Sequence, residues 1–191
     1  MKKIVIFCLV ASFVLAACGG AQPTAAPNPE QPNPQPPKEA AYNTEHLAKI
    51  KEGKDAWNAW RTQNTSVKPD LNRADLAGMN LADFDLSSAN LIKAKLRNAN
   101  LSRANLRAAQ LNGADLKGAK LKNAKMGNVR LVGADLTDAD LTGAKLAKAH
   151  LAGANLTGAI LTEADLTGVT YDATTIWPAG FDPVAAGAVL E

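Results

Sequence analysis

The sequence has little of what catalytic and metal sites are usually made from. Its 191 residues include only two histidines and two cysteines. Neither His46 nor His150 stands in a pattern typical of nucleophilic catalysis, and there is no G-x-S-x-G elbow or nucleotide-binding glycine loop. The acidic residues are scattered and lack the spacing of a metal-ligand set. We therefore predict a protein that is not an enzyme and that needs no cofactor or metal.

Both cysteines lie within the first 18 residues. This segment has two lysines, an apolar stretch over residues 4–15 and a small-residue exit, which is typical of a secretory leader too short to span a membrane once mature. The exit, LAAC, resembles the lipobox of bacterial lipoproteins. The resemblance implies that residues 1–17 are a signal peptide and that Cys18 becomes the first residue, with acyl chains such as palmitate attached. The alternative is an ordinary secretory leader with an incidental cysteine.

A lipidated cysteine would anchor the protein to the bacterial cell envelope. Several acyl chains on one residue give stable anchoring, whereas one chain alone is marginal. Gly19 follows Cys18, and in enteric-type sorting the absence of Asp there favours the periplasmic face of the outer membrane. In a Gram-positive host, the same anchor would leave the protein on the outer face of the only membrane.

The segment after the cysteine lacks the residues of a core. Residues 19–42 contain seven prolines and no Leu, Ile, Val, Phe or Met. Together with Cys18 they are predicted to form a disordered, extended tether that reaches on the order of 60 Å at about 3.1 Å per residue. Two interpretations stay open: a spacer that holds the following domain off the membrane, or a linker whose length does not matter.

What the sequence does have is a strict five-residue repeat. Leu or Met occupies every fifth position from Leu71 to Leu166, which makes 20 consecutive repeats, and Ala stands two residues before it in 16 of them. On a helix, five residues advance about 500°, so the leucines would form no stripe. On a flat strand, an odd spacing would send alternate leucines to opposite faces. A chain that turns a corner of about 90° every five residues would point all of them to one axis.

This pattern resembles the pentapeptide-repeat family, whose motif is A-(D/N)-L-x-x. The resemblance implies an all-β solenoid, a right-handed quadrilateral β-helix, over residues 69–170. Twenty repeats make about five coils of four sides. At the usual strand spacing of about 4.8 Å they would build a shaft about 24 Å tall. Phe84 and Met79 replace the inward alanine in the first coil, and Met126 replaces one central leucine.

The aromatic residues are few and mostly flank the repeats. Residues 43–68 are predicted to form a short helical cap, and residues 171–191 a C-terminal aromatic cap. An open coil would expose leucine edges and unpaired backbone groups, so the aromatic side chains are interpreted as structural caps rather than as ligand-stacking groups. These candidate cap residues are Trp57, Trp60, Tyr171, Trp177 and Phe181. The segment PVAAGAVLE near the C-terminus either completes its cap or joins two shafts end to end as a homodimer.

Basic residues are concentrated in the second and third coils. Between Ile92 and Arg130 there are ten of them and one acidic residue, Asp115, so we predict a basic girdle as the candidate interaction surface. A solvated surface is the alternative, because without Lys2 and Lys3 the 21 basic residues fall to 19 against 18 acidic ones. The girdle consists of Lys93, Lys95, Arg97, Arg103, Arg107, Lys117, Lys120, Lys122, Lys125 and Arg130.

Three functions stay open. The first, which we favour, is a scaffolding lipoprotein whose rigid β-helix presents a protein-protein interaction surface to an envelope protein. The second is a module that binds polyanions or lipid headgroups through the basic girdle. The third is an enzyme whose site the sequence hides. The resemblance also implies a role in which an acidic rod imitates duplex DNA. Export and the basic central coils argue against both that role and nucleic-acid binding.

Overall fold

A computed structural model describes residues 42–191. The predicted signal peptide, the predicted lipidation site Cys18 and the predicted tether of residues 18–42 lie outside the described residues, except for Tyr42. The helices and strands are α1 (Thr44–Lys51), α2 (Lys54–Gln63), β1 (Thr170–Tyr171) and β2 (Val189–Leu190). Between α2 and β1 the chain is a continuous series of turns and single parallel β-bridges. Neither helix in the described part is long and apolar enough to cross a bilayer.

The bridges recur with a period of 20 residues and define a four-sided coil. They run from Asp70, paired with Asn90, to His150, paired with Thr170. Each coil bonds to the next through pairs such as Leu121 N–H to Asp140 O at 2.7 Å and Lys120 N–H to Ala99 O at 2.9 Å. We number the coils 1 to 5 over residues 69–88, 89–108, 109–128, 129–148 and 149–168. Faces 1 to 4 are the columns that begin at Leu71, Leu76, Leu81 and Leu86.

Every corner is a tight turn that follows the central leucine. In coil 3, for example, Ala124 N–H donates to Leu121 O at 3.0 Å, and the third residue of this turn, Asn123, has φ +55°. A positive φ at that position is the requirement of a type II turn. Glycine meets it without strain at Gly118, where φ is +63°. The five-residue period is therefore two turn residues plus a three-residue side.

The core is the shaft interior. The central leucines and the alanines two residues earlier are almost all buried from coil 1 to coil 5, as for Leu121 and Ala119 at 0 % exposure. Met126 and Phe84 are buried in the same columns, and Met79 packs against them half-buried. Alanine lets the four sides approach closely, and leucine fills the space that remains.

The first coil has no preceding coil to bond to, and side chains of the two helices cover part of its exposed edge. Trp57 is fully buried, and its Nε1 donates to Asp85 O at 2.7 Å. His46 Nδ1 accepts the N–H of Asp70 at 2.9 Å. Arg61, only 6 % exposed, donates to the carbonyl of Val67 at 2.6 Å. These side chains thus provide hydrogen-bond partners for backbone groups at the first edge of faces 4 and 1.

The last coil is closed on only part of its edge. Strand β2 pairs in parallel with β1 and covers face 1, and Ile176 bridges to Asn155 on face 2. Asp172 fixes this segment, because its carboxylate accepts from the Thr174 hydroxyl at 2.7 Å and from Gly153 N–H at 2.9 Å. Led by the Thr174 bond, these hydrogen bonds lower the pKa of Asp172 to about 2. Face 3 has no such cover among the described residues.

Candidate interaction surface

The outward positions of each repeat are the bridge residue and the two turn residues. At the bridge position Asp and Asn serve the fold first, because their side chains accept the N–H of the next turn. Asp135 Oδ1, for example, accepts from Thr137 N at 3.1 Å and from its hydroxyl at 2.6 Å. Partial burial raises the pKa of Asp135, but hydrogen bonds from Thr137 and Lys117 outweigh it and lower the pKa overall. The Asp135 carboxylate is therefore held in its ionised form and can pair with a cation.

Half of the predicted girdle is paired with carboxylates of neighbouring coils. Five of its ten cations make ion pairs, with N–O distances from 2.8 to 3.4 Å. Most lie well exposed, so each contributes little to stability, but each neutralises a charge. All five pairs lie on faces 2 and 3 and on the corners that border them. The pairs are Lys95 with Asp75, Arg97 with Asp115, Arg103 with Asp83, Lys117 with Asp135, and Lys122 with Asp140.

The other half of the girdle has no carboxylate within ion-pair distance among residues 42–191. Lys93 lies on the corner between faces 1 and 2, and Lys120 lies on face 3. Arg107, Lys125 and Arg130 lie together, on the corner between faces 4 and 1 and on the two faces beside it. Apart from Lys93 and Lys120, the structure thus divides the girdle into a neutralised side and a basic side.

Two further lysines extend the basic side. Lys145 is the direct bridge partner of Lys125, and Lys148 lies on the same corner as Arg107, two coils further along. Neither belongs to the girdle predicted from the sequence, because both follow Arg130 in the chain, where acidic residues return. The 20-residue period would have revealed them. We call Arg107, Lys125, Arg130, Lys145 and Lys148 the basic corner.

The predicted cap residues lie at the two shaft ends. Trp57 and Trp60 are neighbours, with ring centroids 5.2 Å apart. At the other end, Tyr171 meets Trp177 edge-on at 5.3 Å, and Trp177 stacks on Phe181 at 5.3 Å. Each group packs against the hydrophobic core.

The C-terminal end nevertheless leaves apolar groups exposed. Of the six exposed large hydrophobic residues in the described part of the chain, all but Val132 lie at this end. An open recess of about 470 Å³ lies beside face 3, between residues 159–162 and residues 178–181. The N–H groups of Leu161 and Glu163 find no backbone acceptor among the described residues, whereas one coil earlier Leu141 N–H donates to Ile160 O at 2.8 Å. The five exposed hydrophobic residues at the C-terminal end are Ile160, Ile176, Val184, Val189 and Leu190.

Within residues 42–191, no group of three His, Cys, Asp or Glu side chains is placed to hold a metal ion. The side chains of His46 and His150 bond to a backbone N–H and to the Thr170 hydroxyl, respectively. The geometry therefore offers surfaces for binding.

Comparison with known proteins identifies the repeats. The family model for pentapeptide repeats matches residues 70–107, 99–138 and 134–170. The chain belongs to the pentapeptide-repeat family. This confirms the resemblance, and the repeat region of this pentapeptide-repeat protein is a right-handed quadrilateral β-helix like those of its structural neighbours.

Two solved structures illustrate the similarity. One is a pentapeptide repeat protein from the thylakoid lumen of Arabidopsis thaliana, 30 % identical, with a TM-score of 0.50 over 51 % of this chain and 68 % of that chain. The other is the pentapeptide repeat protein Rfr23 from the cyanobacterium Cyanothece 51142. It is also 30 % identical, with a TM-score of 0.50 over 63 % of this chain and 97 % of that chain. No curated protein matches this pentapeptide-repeat protein.

Proposed function

We propose that this protein is a non-catalytic envelope lipoprotein that presents its β-helix to a protein partner. In this proposal Cys18 carries the lipid, residues 18–42 tether the domain, and five rigid coils between two caps form the display element. In a Gram-negative host the protein faces the periplasm from the outer membrane. Two features support a rigid display element: the continuous backbone ladder and the filled shaft.

The observation that carries the protein-binding role is the open C-terminal edge of face 3. Ile160 is 49 % exposed there, and the neighbouring N–H groups of Leu161 and Glu163 have no backbone acceptor in the described chain. An unpaired strand edge is a template for another strand. A partner that adds an extended segment would satisfy these donors and cover the apolar side chains, which is recognition by β-augmentation. The proposed partner is an envelope protein with an exposed strand or extended peptide.

A second copy of the chain is the other partner that this end could accept. Two open edges related by a twofold axis would bury the exposed apolar residues of both copies, which gives an end-to-end homodimer. One experiment separates the two partners, because the mass of the captured product differs.

The experiment is photo-crosslinking in intact cells with the probe in place of Ile160. The matched control carries the probe in place of Val132, which is also a large exposed hydrophobic residue, at 39 %, but lies in mid-shaft. We expect one adduct of defined mass from position 160 and none from position 132. An adduct of twice the chain mass identifies the homodimer. Equal capture from both positions, or none from position 160, contradicts the proposal.

A further inference from the structure

Most of the girdle cations without an ion pair are gathered on one corner of the shaft, the exceptions being Lys93 and Lys120. All five residues of the basic corner are exposed, and none has a carboxylate within ion-pair distance among the described residues. In coils 2 to 4, the outward positions of faces 4 and 1 and of their shared corner contain no Asp or Glu. The acids that follow along these faces are Asp70 and Asp85 in coil 1, the latter beside Arg61, and Asp165 in coil 5, which is the bridge partner of Lys145.

The stacking of these cations calls for an external anion. Lys125 and Lys145 are direct bridge partners, so their Cα atoms are separated by about one strand spacing of 4.8 Å. Like charges in directly opposed positions destabilise a sheet. On faces 2 and 3 an Asp in the adjoining coil relieves this repulsion, as Asp135 does for Lys117 at 3.0 Å. On the basic corner the only such acid among the described residues is Asp165, which bridges to Lys145 but lies beyond ion-pair distance. Coils 2 to 4 offer no carboxylate to the other four cations, which leaves them to a ligand.

The surroundings of the basic corner favour lipid headgroups over a protein. The uncharged outward residues between its cations are small or polar, as with Asn105, Ala108, Gln110 and Asn128. Protein interfaces usually have an apolar or aromatic centre that carries most of the binding energy. This surface has none, whereas binding to anionic headgroups needs only cations on flexible side chains.

We propose that the basic corner rests on an anionic lipid surface and so fixes how the shaft lies on the membrane. The inference uses the proposed membrane anchor only to keep the domain near the bilayer, since 23 residues separate Cys18 from Tyr42. Faces 2 and 3, with their neutralised charges, then point away from the lipid. The open edge of face 3 is thereby left accessible to a partner.

The test measures which side of the shaft is close to the bilayer. The processed chain is isolated from cells and placed in vesicles of phosphatidylcholine alone or with phosphatidylglycerol. A fluorophore is attached through Ala147→Cys, on the basic corner, or through Thr157→Cys, on the opposite corner. A quencher on the lipid headgroup reports proximity. With phosphatidylglycerol we expect stronger quenching at position 147 than at position 157, and loss of the difference at high salt.

Charge reversal supplies the matched control. Each cation near an anionic surface strengthens association by roughly fivefold, so Lys125→Glu with Lys145→Glu should lower the ratio of docked to undocked domains at least about 30-fold. Lys93→Glu with Lys120→Glu makes the same change in net charge with two other unpaired cations and should leave the quenching difference in place. Equal effects of the two double variants would overturn the proposal.

The remaining outcomes separate this inference from the anchor. The mass of the isolated chain reports whether Cys18 carries lipid. If it does not, co-sedimentation of the same chain with the two kinds of vesicle tests the basic corner alone. Quenching that is equal at positions 147 and 157, with or without phosphatidylglycerol, overturns the inference even when the anchor is present. A photo-probe at position 147 that captures an acidic protein in cells would do the same.

Discussion

The first prediction concerns the stiffness of the shaft and uses Leu121→Ala. Leu121 is fully buried on face 3 of the central coil, between Leu101 and Leu141 of the adjoining coils. Removing buried methyl groups from a core costs about 2.7–5 kcal/mol for Leu→Ala, and the cost is highest where the site cannot collapse. Here the backbone ladder holds the coils at a fixed spacing, as in the 2.7 Å bond from Leu121 N–H to Asp140 O. We therefore expect Leu121→Ala to lower the free energy of unfolding by about 4 kcal/mol.

Leu161→Ala is the matched control on the same face. Leu161 lies in the last coil, is half-buried and borders the open edge, so it has a neighbouring coil on only one side. We expect it to cost about 2 kcal/mol or less. The free energies of unfolding can be measured by urea denaturation. A cost for Leu121→Ala below about 2 kcal/mol, or equal to that of Leu161→Ala, would refute the fixed-spacing explanation.

Three further variants test the corners and the caps. Gly118 and Gly133 have nearly the same φ, +63° and +64°, but a Cβ at 118 would overlap the Asn98 side chain while one at 133 meets nothing within 4 Å. In thermal melts, Gly133→Ala should therefore lower the free energy of unfolding by about 1 kcal/mol, and Gly118→Ala should lower it by more. Combining Gly118→Ala with Asn98→Ala should remove this difference. The pKa of Asp172 is lowered to about 2 by hydrogen bonds, chiefly from the neighbouring threonine hydroxyl, so its stabilisation is present above its ordinary value of 3.8 and is lost as the pH falls through about 2. Asp172→Asn should flatten the fall of the melting temperature between pH 4 and pH 2, and an unchanged acid profile would contradict this. Arg61→Met leaves buried carbonyls without their charged donor and should cost about 2 kcal/mol by urea denaturation; a neutral effect would show that the N-terminal helices do not depend on this contact.

The repeat region could be predicted from the sequence because one rule repeats without interruption. A five-residue period excludes a straight helix and a flat strand, so the square coil follows from Leu71 to Leu166 with no knowledge of contacts. The ends do not repeat. That Trp57 Nε1 donates to Asp85 O, or that face 3 stays open at Leu161, depends on single long-range contacts without a local signal.

The girdle could be predicted only as a set of residues. Composition shows ten cations in 39 residues but does not show that Lys117 meets Asp135 or that Lys122 meets Asp140. Those pairs join residues 18 apart across adjacent coils, so they become visible only when the sequence is wrapped with a period of 20. With that period, most of the girdle cations that lack an ion pair lie at the corner between faces 4 and 1 rather than around the whole shaft. The same period also adds Lys145 to that group.

The most direct test of an anchored envelope lipoprotein is the mass of the processed chain isolated from its host. We expect a mature chain that begins at Cys18, is heavier than its peptide mass by the attached acyl groups, and is found in the membrane fraction. The variant Cys18→Ala should leave the membrane fraction. A chain that keeps residues 1–17, or that begins elsewhere with no added lipid mass, would contradict the account.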